Sequence, residues 1–346
     1  MKLYPAIDLK DGKCVRLKQG EFKNITVYSE EPWKIAMEFE DCGASFIHLV
    51  DLDGALKGHS VNEATIRKIV DSVNLPCELG GGIRSFKDIE RVLSYGVARV
   101  IIGTKAVSDP DFVKEAIDRF GSSHIVVGVD AKDGIVAVEG WEQLSDKTAS
   151  SMCMAMKAMG VKHIIYTDIS KDGMLSGPNI EMTKKLTEET GLDVIASGGV
   201  SCMDDLYALK AAGISGAIMG KAIYEKRIDV RTAVINIEKD IIPFSKFKLN
   251  SDGMIPVVVQ EEGTNEVLMV AYMNEEAYNL TISTGKMTYF SRSRNEIWVK
   301  GLTSGHFQYV KNLMLDCDND TLLAKVTQVG AACHTGSHSC FFQTIL

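Results

Sequence analysis

No apolar run in the chain approaches the roughly 20 residues needed to span a bilayer, and the opening MKLYPAIDLKDGKCV carries charge where a secretory leader needs an apolar stretch. Read together, these absences argue against a membrane or secreted protein and lead to the expectation of a cytoplasmic location. A basic surplus is also missing. The net charge is -8 over 346 residues, so the chain lacks the excess of Lys and Arg that binding to a phosphate backbone draws on. Nucleic acid and membrane are therefore not expected as partners, and any anion must be held by local donors. Cysteine is sparse before residue 250, where Cys14, Cys42, Cys77, Cys153 and Cys202 read as isolated buried thiols. Three more, Cys317, Cys333 and Cys340, crowd into the last 30 residues at ligand-like spacing.

What the chain does contain is 45% hydrophobic residues, enough for two cores. Up to about residue 240, eight short apolar runs alternate with helix-length stretches such as Phe86 to Tyr95 and Met203 to Ala212: LYPAID, SFIHLVD, CELGGG, ARVIIG, HIVVGVD, HIIYTD, DVIASGG and SGAIMG. Runs of this kind are parallel strands buried on both faces, and eight βα units in this length predict a closed (β/α)8 barrel, an α/β fold of the TIM type. The sequence also repeats. A shift of 117 lays GGIRSFKDIERVLSYGVARVIIG (from Gly81) on GGVSCMDDLYALKAAGISGAIMG (from Gly198) without a gap; a shift of 122 lays IDLKDG (from Ile7) on VDAKDG (from Val129), and one of 119 lays Asp53, Gly54 and Gly58 on Asp172, Gly173 and Gly177. The barrel is predicted to be two related half-barrels. The pattern changes at IIPFSKFKLNSDG, which divides a barrel over 1–242 from a linker over 243–252 and a small α+β metal-binding domain over 253–346, built from six strand-like runs and a helix around NEEAYNLTIS. A domain that small, with exposed edges, is expected to dimerise.

Barrel active sites lie at the C-terminal ends of the strands. That rule selects Asp8, ending strand one, and its repeat-equivalent Asp130, ending strand five, as a general base and a general acid facing each other across the mouth. Either aspartate alone is also a good turn or cap residue; recurrence at both half-barrel ends favours chemistry. Tight turns at Gly81 and Gly82, and at Gly198 and Gly199, join strand ends at Gly103 with Thr104 and at Gly220 with Lys221. Each half thus offers oriented backbone N–H groups to a phosphate, which implies a substrate with a phosphate at each end. The competing reading is that these glycines only permit close packing.

In the C-terminal part, Asp316 to Asp320 read as extended places Asp316, Asp318 and Asp320 on one face, hard ligands suited to magnesium, with Cys317 on the other. Cys317, Cys333 and Cys340 form a C-x15-C-x6-C set suited to zinc with a fourth position left for water. Opposite faces cannot deliver both sets to one site within a subunit, so one site is expected to be completed across a dimer interface. His306, His334 and His338 remain candidate ligands or proton shuttles, His334 first among them.

Two resemblances follow from these motifs. PAIDLKDGKCVRLKQG, HLVDLDGA, GGGIRS, GVDAKDG, TDISKDGMLSGPN and ASGGV together resemble the phosphoribosylformimino-aminoimidazole carboxamide ribotide isomerases of histidine synthesis, whereas the sister cyclase barrel opens with PCLDV and VVKG rather than PAIDL and VRL with Arg16. The resemblance implies an Amadori rearrangement without metal or organic cofactor in the barrel, with Asp130 as acid, Asp8 as base, Thr167 and Asp172 orienting substrate or assisting proton transfer, and Gly177 completing a phosphate site. VLMVAYMNEEA, YFSRSR, WVKGLTSGH, DCDND and CHTGSHSCF resemble phosphoribosyl-AMP cyclohydrolase. That resemblance implies ring opening of a ribosylated adenine, dependent on zinc and magnesium, with Arg292, Arg294 and Lys300 as phosphate contacts. Leu302 stands where that family usually has Glu, so no acidic role transfers to it. Both resemblances imply phosphoribosyl nucleotides as substrates. The alternatives at this stage are the cyclase for the barrel, or an isomerase that also accepts phosphoribosylanthranilate, and a non-catalytic zinc or dimerisation module for the C-terminal domain.

Overall fold

The computed structural model describes residues 1–18, 21–138, 140–141 and 143–346. The end of the opening motif, Gln19 and Gly20, lies outside the described residues. The chain divides into two compact units, Met1–Lys239 and Asp240–Leu346.

All eight predicted barrel strands are present: Lys2–Lys10 (β1), Ile47–Asp51 (β2), Cys77–Gly80 (β3), Arg99–Ile102 (β4), Ile125–Lys132 (β5), His163–Asp168 (β6), Asp193–Ser197 (β7) and Gly216–Met219 (β8). Each pairs in parallel with its neighbour, and β5 with β6 and β8 with β1 close the ring. Alternation along the strands divides the apolar residues into two layers. Tyr4, Ala6, Phe46, Val126, Ile165, Ile195 and Ile218 fill the inside of the barrel. Leu3, Ile7, Ile47, Leu49, Leu79 and Val100 face the ring of helices, packed without exposure to solvent.

The duplication extends from the sequence into the hydrogen bonds. After β2 the carboxylate of Asp51 accepts from Gly54 N–H and from Asn62 Nδ2 at 2.7 Å; after β6, Asp168 accepts from Ser170 N–H and from Asn179 Nδ2, also at 2.7 Å. After β3, Asp88 accepts from the backbone N–H of Arg84 and from Ser85 Oγ, as Asp205 after β7 accepts from the N–H and Oγ of Ser201. These carboxylates satisfy loop and helix-start donors that otherwise face an apolar wall. Each half therefore carries its own set of loop clamps.

One feature of the barrel was missed in the sequence. The Lys-Asp-Gly turns after β1 and β5 are hairpin turns, with Asp11, Gly12, Asp133 and Gly134 all at positive φ, and they launch two antiparallel hairpins, Lys13–Lys18 with Glu21–Ser29 and Ile135–Val138 with Gln143–Thr148. An Asp-Gly pair at two left-handed positions matches the twist of such a hairpin. That signal stood in both IDLKDG and VDAKDG.

The second unit has a four-stranded sheet and a separate hairpin. Val267–Met273 (β10) pairs antiparallel with Ile255–Glu261 (β9), which pairs parallel with Leu322–Gln328 (β14) and through it with Gln308–Leu315 (β13); Thr288–Ser291 (β11) pairs with Glu296–Val299 (β12). The helix Glu275–Thr284 is capped by Asn274, whose side chain accepts from Ala277 N–H. The stretch expected as a linker, 243–252, lies wholly within this unit. Phe244 and Phe247 are buried in its core against Tyr278, at ring distances of 5.8 and 5.0 Å, and Tyr278 donates its hydroxyl to Ile242 O.

Candidate active sites

Asp8, Asp130 and Asp172 meet at the C-terminal mouth of the barrel. Each inserted hairpin supplies the partner for the carboxylate at its base. Arg16 NH1, from the first hairpin, lies 2.7 Å from Asp8 Oδ2, and Trp141 Nε1, from the second, donates to Asp130 Oδ2 at 2.8 Å. Thr167, beside Asp130 in register, also hydrogen-bonds it. Burial pushes the Asp130 carboxyl above its ordinary value, opposed by the Trp141 and Thr167 hydrogen bonds and the nearby charge of His48. Asp172 is pushed up to about 6, first by burial and then by the charges of Asp8 and Asp130, with Arg16 opposing. Three carboxylates that feel one another form one site. The repeat-equivalent of Asp172 does not share its role: Asp53 accepts from Asp11 N–H and Asn62 Nδ2 and is a structural clamp.

A raised carboxyl pKa has a consequence for stability. The folded chain binds the Asp172 proton more readily than the unfolded chain, whose value is near 3.8, so this contribution is complete below that pH and is lost as pH rises through about 6. Asp172→Asn is therefore expected to melt a few degrees above the wild type at about pH 8 and to coincide with it at about pH 4. Thermal scans at both values check this; an equal offset at each would exclude the titration as its cause.

The phosphate candidates divide on steric grounds. A Cβ on Gly81 would collide with the backbone of Asp51, and one on Gly199 with the backbone of Gly177, whose N–H donates to Gly199 O at 3.0 Å. Close packing alone explains these two glycines. A Cβ on Gly103 meets nothing within 4 Å, and the nearest atoms to one on Gly220 belong to the Arg16 guanidinium, at 3.2 Å. Those two positions, each starting a short helix at Thr104 or Lys221, face open space or a cation. Lys221 Nζ is held by Gly173 O at 3.1 Å and by Glu225 at 3.5 Å, which ties the β6 and β8 loops together.

In the second unit the acidic run is a turn, not the extended segment expected, because Asn319 is left-handed and Asp316 Oδ1 accepts from the N–H groups of Asp320 and Thr321. The turn still gathers Asp316, Asp318 and Asp320, with one carboxylate oxygen of each within 4.8 Å of the others, a candidate site for a hard cation. The Cys333 and Cys340 side chains hydrogen-bond each other, and Thr335 donates to Cys333 Sγ at 3.1 Å, which with a backbone N–H pulls that thiol below its ordinary value. Cys317 is exposed, and among the described residues no converging trio of His, Cys, Asp or Glu includes it.

Lys300 was read as a phosphate contact, but it is buried, donates to Ala332 O at 2.6 Å and lies within the field of Cys333 and Cys340; burial lowers its pKa. Arg294 pairs with Glu296 at 2.8 Å on the surface. Arg292 sits 3.8 Å from the centre of the Tyr272 ring and, with Ser291, Ser293, Tyr289, Phe290 and Trp298, lines a pocket of about 510 Å³. Tyr289 feels the charge of Cys340, so the aromatic pocket and the thiol pair are neighbours. His334 Nδ1 is 3.9 Å from Cys333 Sγ, His338 bonds Glu261 at 3.2 Å, and the His306 ring packs over Gly330.

A closed (β/α)8 barrel with three carboxylates gathered at its mouth, followed by a unit with a thiol pair and a carboxylate trio, is the layout of an enzyme with two candidate sites. Residues 2–229 match the family model described as histidine biosynthesis protein, and residues 269–342 match that of phosphoribosyl-AMP cyclohydrolase. The chain belongs to the histidine biosynthesis protein family. Its similar relatives include proteins named 1-(5-phosphoribosyl)-5-((5-phosphoribosylamino)methylideneamino) imidazole-4-carboxamide isomerase. That of Lachnoclostridium phytofermentans is 58% identical over 67% of this chain and 98% of its own; that of Syntrophomonas wolfei is 50% identical over 69% and 99%. The cyclase reading of the barrel is thus not favoured, and the chain is a bifunctional enzyme of histidine biosynthesis with isomerase and hydrolase parts. No helix among the described residues is long and apolar enough to cross a membrane.

Proposed function

We propose that the C-terminal domain opens the six-membered ring of phosphoribosyl-AMP by hydrolysis and that the barrel converts the resulting aminoaldose to the aminoketose. For the barrel, the supporting observation is the opposed state of its two carboxyls: Asp8 is ion-paired to Arg16, whereas burial favours the protonated form of Asp130. Asp130 gives its proton to the ribose ring oxygen as the C1–O bond breaks and the nitrogen lone pair forms a Schiff base. Asp8 then takes the C2 proton, and the electrons of that C–H bond make the enolamine, which tautomerises to the ketose. Thr167 and Trp141 hold the Asp130 carboxyl, and Asp172, between the two, orients the sugar hydroxyls. The strand ends at Gly103 with Thr104 and at Gly220 with Lys221 receive the two phosphates, and the turns at Gly81, Gly82, Gly177, Gly198 and Gly199, several of them packed against neighbouring backbone, shape the two sites. The rearrangement is an internal redox exchange, C2 oxidised as C1 is reduced, completed when a proton adds at C1 and the C2 hydroxyl proton leaves; it needs proton transfers only and no external oxidant or reductant.

In the second unit the donor sets fit the two metals. Cys333 and Cys340 with Cys317 are soft ligands for zinc, and Asp316, Asp318 and Asp320 are hard ligands for magnesium. Zinc there would supply a water acidified toward about pH 7 for attack at C6 of the purine. Tyr289 and Trp298 wall the base, and Arg292 faces its phosphate. The separation of Cys317 from the thiol pair supports the third cysteine's coming from a second copy, with the exposed Val267 and Val270 side chains of β10 on the surface that copy covers.

Incubating the zinc- and magnesium-loaded chain with phosphoribosyl-AMP, and following open ring and ketose by chromatography, tests the whole reading. The open ring should appear first and the ketose second, and chelation should stop only the first step. An intact isomerase without ring opening would reduce the second unit to a structural module.

A further inference from the structure

One charged group in the barrel is used neither by the mouth chemistry nor by the loop clamps. Glu78, on β3, is wholly buried inside the barrel, where an unpaired carboxylate costs several kcal/mol. It is held between His48 and Arg99 from the neighbouring strands. His48 Nδ1, on β2, lies 2.9 Å from Glu78 Oε1, and Arg99 NH1, on β4, lies 3.8 Å from Glu78 Oε2. The first contact is a hydrogen bond; the second is too long to be one, and both Glu78 Oε2 and Arg99 NH1 lack any hydrogen-bond partner, so the Glu78–Arg99 side of the arrangement is left open. In register His48 and Glu78 stand beside Ala6, one inward-facing layer below Asp8. The imidazole is close enough to Asp130 for its charge to act on that carboxylate.

We propose that Glu78 and Arg99 are positioning residues of the barrel reaction: Glu78 fixes the ring orientation and the Nδ1 proton of His48 beneath Asp130, and Arg99 limits how strongly it does so. The logic is that of a carboxylate orienting a histidine whose other nitrogen faces the reaction. Glu78 is hydrogen-bonded to His48 Nδ1, and Arg99 competes for the same carboxylate. The charge of His48 in turn sets how readily Asp130 keeps the proton it must deliver. The other titratable groups around this floor are Tyr4, Lys2 and the His163–Asp193 pair, at 3.1 Å; those around Asp130 are Asp8, Asp172 and Arg16. The inference rests on the proposed role of Asp130 as acid.

The two roles have opposite signs, which makes the experiment decisive. The basic limb of the pH profile of isomerisation reports loss of the Asp130 proton. Glu78→Gln keeps the shape and removes the charge, so His48 gives up its proton more easily and the limb should move up by about half a unit or more. Arg99→Met leaves Glu78 to His48 alone and should move the limb down. Shifts in opposite directions support the proposal; two unmoved limbs, or two equal losses of rate at every pH, overturn it as mere packing. Nitrogen NMR of the imidazoles in the unsubstituted full-length chain tests the first link without any variant having to fold. A His48 Nδ1 that carries a proton hydrogen-bonded to a carboxylate supports it, and a bare Nδ1 overturns it. Absence of isomerisation by the unsubstituted chain would instead strike at the reaction assigned to the barrel, and the NMR result separates the two failures.

Discussion

Asp8→Asn is expected to cut isomerisation by about a hundredfold or more, the contribution of a positioned general base, while substrate affinity stays within a small factor of the wild type. The amide keeps an oxygen for Arg16, which bonds Asp8 at 2.7 Å, so the guanidinium is not left without a partner and the mouth keeps its shape. What the amide cannot do is take the C2 proton. The measurement is kcat and KM on the separately supplied aminoaldose, with the melting temperature as a check on folding. A variant that kept more than about a tenth of the wild-type rate would remove Asp8 from the role of base, and one that lost affinity instead would recast it as a binding group. Ring opening by the second unit should be unchanged in the same sample, which provides an internal control.

Cys333→Ser is the second large effect expected. A serine hydroxyl is a poor zinc ligand because it stays protonated at neutral pH, whereas the Thr335 and Cys340 hydrogen bonds favour the thiolate of Cys333. Ring opening should fall by more than the 10 to 100-fold that loss of an outer-shell partner typically costs, and the zinc content of the purified chain should fall with it. Isomerisation should not move. A variant that lost zinc but kept ring opening would assign the cysteines to structure. One that kept zinc and lost activity would place Cys333 at the reaction rather than at the metal. Cys317→Ser should give the same phenotype if the trio is a single site, and mixing it with Cys333→Ser should restore part of the activity if two copies build that site together.

The architecture was legible because its signals are long and redundant. Eight apolar runs buried on both faces permit few other folds, and the 117-residue shift shows as paired clamps, Asp88 with Asp205. Asp8 and Asp130 are singled out by their strand ends together with their recurrence in both half-barrels, and both stand at the mouth. Their partners were not legible. Arg16 and Trp141 approach from hairpins that bend back over the mouth, and sequence distance says nothing about which side chain crosses that gap. The Asp-Gly turns announced the hairpins, but beside a Lys they also read as caps. Asp316 to Asp320 shows the converse case: a local choice between strand and turn was decided by hydrogen bonds from Asp316 to its own backbone, and the carboxylates converge in either event. Lys300 was misplaced because a lysine after a strand is ordinarily a surface residue; here the thiols and Ala332 O compensate its burial.

The clamps at Asp51 with Asn62 and at Asp168 with Asn179 touch none of the reacting carboxylates, although they sit within a turn of chain from them. Folding instructions and catalytic instructions are thus written on different residues of the same loops. A lineage that alters Asp172, Trp141 or the Gly103 edge changes what the mouth accepts while the loop frame stays pinned, so substrate range can drift in one half-barrel without being copied into the other. The two halves already differ in this way: Asp53 is a clamp, whereas its repeat-equivalent Asp172 lies with Asp8 and Asp130.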